Sequence, residues 1–348
     1  MTPVAPASGG RLSVHAPDGC PEVREGDDLA AILVGLLDAA TPPDPLADGD
    51  VVVVTSKVVS KSEGRVLDGD REVGLAAELA EPGTRVVARR GPTTIVRTHH
   101  GLTLAAAGVD ASNVESGRVL LLPRDPDASA RVLRRRLHEL TGRRVGVVVT
   151  DTAGRAWREG QTDLAVGAAG LTVLEDYAGR VDEHGNELAV TAPAVADELA
   201  GAVELAQGKL AARPFAVVRG RADLVLDDDG PGATALVRPE GADLFGYGAR
   251  EAVVRAVAGG DAARAVFGAP ATADEVAAAL EEALGAVSTP LSPSGPGLLA
   301  RVPGTRAALV EPLALAHGWL VEWPGSGSPN GDDSGDLAVE ARLLPGVP

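Results

Sequence analysis

Carboxylate and hydroxyl groups follow an apolar, strand-like segment in the stretch VGVVVTDTAGRAWREGQTD, residues 145–163. Asp110, in AAAGVDASN, occupies a similar position, where an apolar segment changes to a glycine-bounded turn. Phosphoryl chemistry uses hard oxygen ligands that hold Mg²⁺ or Mn²⁺ against phosphates, and carboxylates from separate loops supply them. Ligands of open α/β sheets collect beyond the carboxyl ends of strands, so Asp110 and Asp151 are candidate metal ligands. The alternative is that both aspartates only cap turns or helices.

An anionic substrate would need a local group of basic side chains, because the chain as a whole is acidic. Its 49 acidic and 32 basic residues give a formal net charge of -17. Such a charge opposes nonspecific binding to nucleic acid or anionic membranes, so neither is an expected partner. For each candidate basic residue the alternative is a solvated surface position. The candidates are Lys57, Lys61, Arg97, Arg155, Arg158 and Arg180.

Several other kinds of site are disfavoured. GAVELAQGKL has the wrong glycine spacing for a P-loop, and GPGATA lacks the third glycine of a dinucleotide loop. Cys20 is the only cysteine, which excludes a disulfide framework and a cysteine-cluster metal site. His99 and His100 are adjacent, so on a strand they face opposite sides and are interpreted as structural. Trp157 could either cover a planar ligand or fill the core.

The chain is expected to be a soluble, cytoplasmic protein. No apolar run approaches the roughly 20 residues that cross a bilayer. The first residues, MTPVAPASGG, lack the basic start and apolar middle of a signal peptide. A single cysteine also fits a reducing compartment.

Alternating strands and helices must position the candidate groups. Residues 51–54 and 144–150 predict buried strands, and residues 125–142 predict a helix with a capping aspartate and a terminal glycine. Residues 85–97 predict a hairpin. A further strand at 118–123, followed by the helix and the strand at 144–150, predicts a strand–helix–strand unit with parallel strands. The fold class is therefore α/β, with mixed α+β sheets.

The chain changes character from about residue 260. ATADEVAAALEEALGAV predicts an amphipathic helix, two or three short strands follow, and GSGSPNGDDSGD predicts a disordered loop. We therefore expect a main domain over residues 12–250 and a small C-terminal α+β appendage of unknown role over residues 260–348.

Five strings of the main domain, taken together and in this order, resemble the coenzyme F-420-0:L-glutamate ligase family. They are GDVVVVTSKVVSKSEGR, LAAAGVDASNV, VVVTDTAGRAWREGQTDLAVGAAGL, YAGRVDEHGNEL and GKLAARPFAVVRG. The resemblance covers about residues 12–250. Within the family, this part of the chain is most similar to the ligase domain of bifunctional actinobacterial members. It implies an F-420 glutamyl ligase-like fold and a homodimer. Nothing in the tail resembles the nitroreductase domain of the bifunctional members, so no FMN is expected.

The resemblance also implies an activity. Members attach L-glutamate to the deazaflavin coenzyme precursor F-420-0, first through an amide and then through γ-linkages. GTP is the cosubstrate, Mn²⁺ or Mg²⁺ is needed at up to two sites, and K⁺ is a further candidate cation. A consistent mechanism forms an acyl phosphate that the glutamate amine then attacks.

Site residues carry over to matching positions of this sequence. The metal-binding positions are Asp110, Asp151 and Thr152. The nucleotide-binding positions are Gly19, Cys20, Pro21, Glu22, Ser56, Lys61 and Asn113. Cys20 stands where family members have an aliphatic residue. By inference, Arg155, Arg158 and Gln161 contact the acidic coenzyme tail, and Lys61 and Arg155 act as catalytic groups that stabilise the transferring phosphoryl group.

Two other functions remain open. A deazaflavin-binding carrier without catalysis would keep the pocket and lose a metal aspartate, whereas both aspartates are present. A GTP-dependent amide ligase for a related carboxylate would differ only in pocket shape, which the sequence does not specify.

Overall fold

The computed structural model describes residues 10–239, 241–291, 297–324 and 338–346. The chain forms two compact units, residues 1–237 and 238–348. Residues 238–250, predicted with the main domain, therefore fall in the second unit, and the functions assigned to the two parts stay predictions. Within the described ranges, no helix combines the length and apolar character needed to cross a membrane. The loop predicted at GSGSPNGDDSGD lies outside the described residues.

The first unit alternates strands and helices, which confirms the predicted α/β class. Its strands are β1 Ser13–His15, β2 Val51–Thr55, β3 Val66–Asp68, β4 Arg85–Arg90, β5 Thr93–Arg97, β6 Thr103–Ala105, β7 Arg118–Leu120, β8 Gly146–Arg155, β9 Arg158–Ala169, β10 Arg180–Val181, β11 Glu187–Leu188 and β12 Phe215–Arg219. Its α-helices are α1 Leu29–Ala39, α2 Ser56–Ser62, α3 Arg71–Leu79, α4 Pro126–Thr141 and α5 Val195–Gln207.

A mixed five-stranded sheet, in the order β1-β12-β2-β8-β9, forms the centre of this unit. Only β2 and β8 run parallel. Side chains of a strand alternate between the two faces. Val52 and Val54 accordingly pack with α1 and α4, whereas Val51 and Val53 pack with α5. A central strand buried on both faces explains the unbroken run of valines.

Local end signals correctly predicted α4, one of the helices beside this sheet. Asp28 caps α1 by accepting a hydrogen bond from the Ala31 N–H. Asp125 caps α4 in the same way, and Gly142 ends that helix in the left-handed conformation, with φ 67°. The hairpin predicted at residues 85–97 is also confirmed, as β4 and β5.

The predicted strand–helix–strand unit is wrong. Strand β7 does not join the central sheet; it pairs antiparallel with β3, opposite residues 66–68. The parallel neighbour of β8 is β2, which lies much earlier in the chain. Strand pairing is a nonlocal choice, so strong local signals for β7 and α4 did not reveal it.

A small three-stranded sheet, β4-β5-β6, leads the chain towards the end of β2. After β6 a short 3-10 turn over Ala106–Gly108 brings Asp110 into an isolated antiparallel bridge with Leu120. This arm is therefore the element that positions Asp110.

The second unit is a small α+β structure, as expected for the appendage. Its described helices are α6 Ala249–Ala258, α7 Asp261–Phe267, α8 Ala273–Leu284 and α9 Val310–Ala316. Its described strands, β13 Val287–Pro290, β14 Leu298–Pro303, β15 Trp319–Glu322 and β16 Ala338–Pro345, form an antiparallel sheet in the order β13-β14-β16-β15. Trp319 is buried in its core beside Leu280 of α8.

Candidate active site

The parallel pairing of β2 and β8 brings Ser56 and Asp151 together. Thr55, the last residue of β2, lies opposite Thr150, so the next residues on each strand are neighbours. The Ser56 hydroxyl donates a hydrogen bond to Asp151 Oδ1 over 3.1 Å. Both side chains are buried. Asp151 thus lies within β8, and not in a turn after it as the sequence suggested.

Asp110 arrives from the separate arm and is held by Lys57, the second residue of α2. Lys57 Nζ lies 2.9 Å from Asp110 Oδ2. Ser112 also donates two hydrogen bonds to this carboxylate, one from its N–H over 2.7 Å and one from its hydroxyl over 2.8 Å. The structure therefore brings Ser56, Asp110 and Asp151 to one end of β2 and β8, as the sequence predicted.

The two aspartates differ in electrostatic environment. Burial raises the pKa of Asp151 to about 6, with a smaller contribution from the Asp110 charge, although Lys57 and Ser56 oppose it. Burial also acts to raise the pKa of Asp110, but the hydrogen bonds and charge of Lys57 and Ser112 outweigh it and lower that pKa. Asp151 is therefore the carboxylate whose negative charge is less well compensated.

Lys57 is the cation on which this arrangement depends. Burial favours the neutral amine, but the hydrogen bond to Asp110 and the charges of Asp110, Asp151 and Asp163 together raise the pKa of Lys57. The lysine is therefore charged at neutral pH and neutralises part of a three-carboxylate cluster.

A second lysine lies on the other side of the cluster. The Thr152 hydroxyl donates to Asp163 Oδ1 over 2.7 Å and accepts from Lys209 Nζ over 2.8 Å. Lys209 Nζ also lies 3.7 Å from Glu204 Oε1. Thr152 and Asp163 face each other across the β8–β9 hairpin.

These groups border a cavity of about 430 Å³. Six of the predicted site residues line it, namely Cys20, Pro21, Glu22, Lys61, Asn113 and Thr152. Lys57 and Ser112, which hold Asp110, line it as well. Gly19, with φ 86°, forms the turn that presents the next three residues. Asn113 adopts a left-handed conformation with φ 56°, which is uncommon for a residue other than glycine.

Lys61 and Glu22, both predicted nucleotide contacts, form an ion pair in this cavity. The neighbouring Cys20 thiol donates to the Pro21 carbonyl oxygen. Burial and the Glu22 charge raise the pKa of Cys20, although Lys61 opposes them. A thiol with a raised pKa is a poor nucleophile, so Cys20 contributes shape and backbone to the turn.

Sequence reasoning missed Gln207, the last residue of α5. Its side chain lines the cavity and is only 4% exposed, yet its Nε2 has no hydrogen-bond partner among the described residues. A buried amide without a partner costs free energy, so this group is suited to a ligand. Lys209 and Asp163 were also missed. The sequence signal for Lys209 was the GKL string just after the helix, and Asp163 ends the stretch 145–163; both lie in strings that resemble the family.

Arg155, Arg158 and Gln161 do not line the cavity. They lie at the exposed end of the β8–β9 hairpin, where Arg155 pairs with Arg158 and Gln161 with Gly154. Trp157, at the tip of the hairpin, has 87% of its surface exposed and φ 65°. The alternative that Trp157 fills the core is therefore wrong. Arg97 and Arg180 are likewise absent from the cavity lining.

The two histidines belong to a separate buried group. The His99 and His100 rings lie 3.7 Å apart, and His99 Nδ1 is 3.5 Å from Glu78 Oε2. His100 Nε2 lies 3.0 Å from the Pro123 carbonyl oxygen. The structure places this group away from the cavity lining.

The donor set at the cavity fits a hard cation. Among the described residues, no group of three or more His, Cys, Asp or Glu side chains is arranged to hold a metal ion. Asp110, Asp151 and Thr152 instead supply two carboxylates and a hydroxyl, which are the oxygen donors that Mg²⁺ and Mn²⁺ prefer. Asp151 is buried and forms no ion pair with a described residue within 4 Å, so a cation would compensate its charge.

Comparison with known proteins gives a consistent result. Residues 19–220 match the model of the family F420-0:Gamma-glutamyl ligase. A coenzyme F420:L-glutamate ligase of Archaeoglobus fulgidus is 41% identical over 226 residues, which cover 60% of this chain and 88% of the relative. Proteins with the same name from Methanothermobacter thermautotrophicus and Methanopyrus kandleri are 38% and 40% identical. The matches cover 67% and 64% of this chain and 98% and 93% of those relatives.

Proposed function

This chain belongs to the F420-0:Gamma-glutamyl ligase family, and on that premise we propose that it is a ligase that forms carbon–nitrogen bonds. The proposed reaction adds L-glutamate to coenzyme F-420-0, first through an amide and then through a γ-linkage. GTP is the proposed cosubstrate, and Mn²⁺ or Mg²⁺ the proposed metal. A cytoplasmic homodimer is part of the same proposal.

The observation that carries the proposal is the convergence of two lysines at one cavity with two carboxylates next to its lining. Lys57 and Lys61 line it, as do Thr152 and Asp163. Asp110 and Asp151 do not line it themselves but lie directly behind the lining, where Lys57 pairs with Asp110 and Ser56 donates to Asp151. A site with both signs of charge suits a nucleoside triphosphate bound with a divalent cation. The chain as a whole has a net charge of -17, so a local group of lysines at the cavity supports an anionic ligand there.

The divalent cation would be held by Asp110, Asp151 and Thr152. When bound, it would neutralise negative charge on the phosphates during transfer. The raised pKa of Asp151 supports this role, because the buried carboxylate lacks a compensating charge. K⁺ stays an additional proposed cation without a residue assigned to it.

The lysines and backbone groups would then position the nucleotide. Lys61, now paired with Glu22, would exchange that carboxylate for a phosphate oxygen. Ser56 and Asn113 would contribute hydrogen-bonding groups, and the Gly19–Glu22 turn would contact the nucleotide through its backbone. Gln207 would gain the hydrogen-bond partner that its buried amide lacks.

The proposed chemistry has two steps. An oxygen of the coenzyme carboxylate attacks the γ-phosphorus of GTP, GDP leaves, and an acyl phosphate forms. The glutamate amine then attacks the acyl carbon, loses a proton, and expels inorganic phosphate. Water would hydrolyse the acyl phosphate, so the site must exclude it.

The acidic tail of the coenzyme would contact Arg155, Arg158 and Gln161. These residues lie at the exposed end of the hairpin, outside the cavity lining. Their proposed role is therefore to receive the acceptor, and Arg155 also keeps its proposed role in stabilising the transferring group. A flavin is not part of the proposal.

The test is a mass-spectrometric assay of the purified chain with F-420-0, GTP, L-glutamate and Mn²⁺. We expect masses that increase by one or more glutamyl units, and we expect Asp151→Asn to abolish them. Asp38→Asn is the matched control, because Asp38 is exposed on α1, away from the cavity lining. Binding of the coenzyme without product would instead support a carrier. Absence of both binding and product would indicate a different carboxylate acceptor.

A further inference from the structure

Lys209 forms a hydrogen bond with Thr152, a residue proposed to bind the metal. Its ammonium donates to the Thr152 hydroxyl oxygen over 2.8 Å, while that hydroxyl donates its only proton to Asp163. A hydroxyl oxygen has two lone pairs, so one of them is already occupied by a cationic donor. The ammonium therefore occupies the position at the Thr152 hydroxyl oxygen that a metal ion would take.

The backbone brings Lys209 to this position. Helix α5 ends at Gln207, and Gly208 follows with φ 64°, a left-handed value that suits glycine. Lys209 comes next and lines the cavity with both of these residues. Its side chain remains 57% exposed, which is compatible with a surface lysine. Its hydrogen bond to Thr152, whose hydroxyl in turn donates to the buried Asp163, distinguishes it from one.

The two sides of the carboxylate cluster are not equivalent. On the Thr152 side, Lys209 supplies a positive charge in contact with the oxygen donors. On the other side, Lys57 contacts Asp110, but Asp151 makes no ion pair with a described residue. An ammonium group is present on both sides, so repulsion of a divalent cation does not by itself separate them. The difference is that Lys209 occupies the free lone pair of the Thr152 hydroxyl, whereas the buried Asp151 carboxylate is left without an ion-pair partner among the described residues.

We propose that Lys209 is a fixed cation that takes the place of one divalent ion, so that the site binds a single exchangeable divalent cation, on the Asp110–Asp151 side. This inference rests on the proposed function. It replaces the expectation of up to two metal sites with one metal ion, held by Asp110 and Asp151, and one lysine, which takes Thr152 in place of the metal. Lys209 is a positioning residue in this account, since it acts through Thr152 and Asp163.

The experiment counts bound Mn²⁺ per chain. The full chain is dialysed to equilibrium against Mn²⁺ and a saturating non-hydrolysable GTP analogue, with a chain-free control for the metal that the analogue carries. We expect one Mn²⁺ per chain in the wild type and two in Lys209→Met, the second bound at least tenfold more weakly. Lys209→Arg, which keeps the charge, should bind one. Unfolding temperatures in EDTA verify that each variant is folded.

The outcomes separate this inference from the proposed function. Two Mn²⁺ per wild-type chain would overturn the role of Lys209 while leaving a metal-dependent ligase intact. One Mn²⁺ in both the wild type and Lys209→Met would also overturn it, because the lysine would not be what excludes the second ion. No bound Mn²⁺ in the wild type would overturn this inference together with the metal requirement of the proposed function. The glutamylation assay then tests the ligase reaction independently.

Discussion

Ser56 and Asp151 are 95 positions apart in the chain, yet the Ser56 hydroxyl donates a hydrogen bond to Asp151 Oδ1 over 3.1 Å. The contact exists because β2 and β8 are parallel neighbours that end in register. Helix α2 starts directly at Ser56, so the same register also brings Lys57 to Asp110. One strand pair thus assembles the proposed cation site.

Ser56→Ala tests this contact. A hydrogen bond to a charged group contributes about 1.5–3 kcal/mol, so we expect kcat/KM for GTP to fall by about tenfold or more. Ser62→Ala is the matched control, because the Ser62 hydroxyl donates to the Val59 carbonyl on the same helix and Ser62 is not among the residues that line the cavity. Equal activity of the two variants would contradict the role of Ser56.

Asp151→Asn should stabilise the protein at neutral pH when divalent metal is absent. The pKa of Asp151 is raised from 3.8 to about 6 in the fold, so the folded state favours the protonated carboxyl. The stability that comes with the protonated carboxyl is fully present below pH 3.8. It is lost as the pH rises through about 6, because the buried group must then ionise. Two pKa units correspond to about 3 kcal/mol.

The measurement is denaturant unfolding of both proteins in EDTA at pH 4 and pH 7.5. Asp151→Asn should be more stable by up to about 3 kcal/mol at pH 7.5, and the difference should be small at pH 4. Adding Mn²⁺ at pH 7.5 should stabilise only the wild type. A variant that is less stable at pH 7.5 in EDTA would refute this account of the buried charge.

Lys57→Met should have the opposite effect. It removes the ammonium that pairs with Asp110 and whose charge also acts on Asp151 and Asp163. We expect a loss of about 2 kcal/mol in EDTA, less than for a fully buried pair because both partners are partly exposed. The double variant Lys57→Met with Asp110→Asn should recover much of this loss. Additive destabilisation by the two changes would show that the pair is not coupled.

Gln207→Met should weaken nucleotide binding and stabilise the unliganded protein. A buried amide without a partner costs about 1–3 kcal/mol, so the unliganded variant should unfold at a higher temperature while its KM for GTP rises. Gln161→Met, at the exposed end of the hairpin, is the control and should change the unfolding temperature little. An unchanged KM for GTP would exclude a ligand contact by Gln207.

Arg158→Ala tests the acceptor assignment. If Arg158 receives the acidic coenzyme tail, KM for the coenzyme should rise severalfold while KM for GTP stays constant. Arg90→Ala, another exposed arginine near a hairpin turn, serves as the comparison. A rise in KM for GTP alone would indicate that Arg158 contacts the nucleotide and not the coenzyme tail.

The sequence predicted those features that depend on short-range physics. Capping by Asp125 and the end of α4 at Gly142 follow from hydrogen bonds and backbone conformations within a few residues. The β7 pairing failed because a strand's partner is chosen over long separations. The positions of Lys209 and Gln207 at the cavity depend on how α5 packs beside β9, which no local pattern encodes.

Resemblance supplied a different kind of information. Nothing in the spacing of Asp110 and Asp151 distinguishes a metal site from two turn caps, and only the long matching strings favoured the former. The structure brings both residues together beside Lys57, while it leaves Arg155 and Arg158 on an exposed hairpin. Convergence at the end of parallel strands was predictable, but the direction of the hairpin was not.

The most direct test of the central claim is to count all products of one reaction with F-420-0, GTP, L-glutamate and Mn²⁺. GDP, inorganic phosphate and new amide bonds are quantified in the same samples over time. The account predicts equal amounts of the three in the wild type. GMP and pyrophosphate as products, or GTP hydrolysis without amide formation, would contradict it.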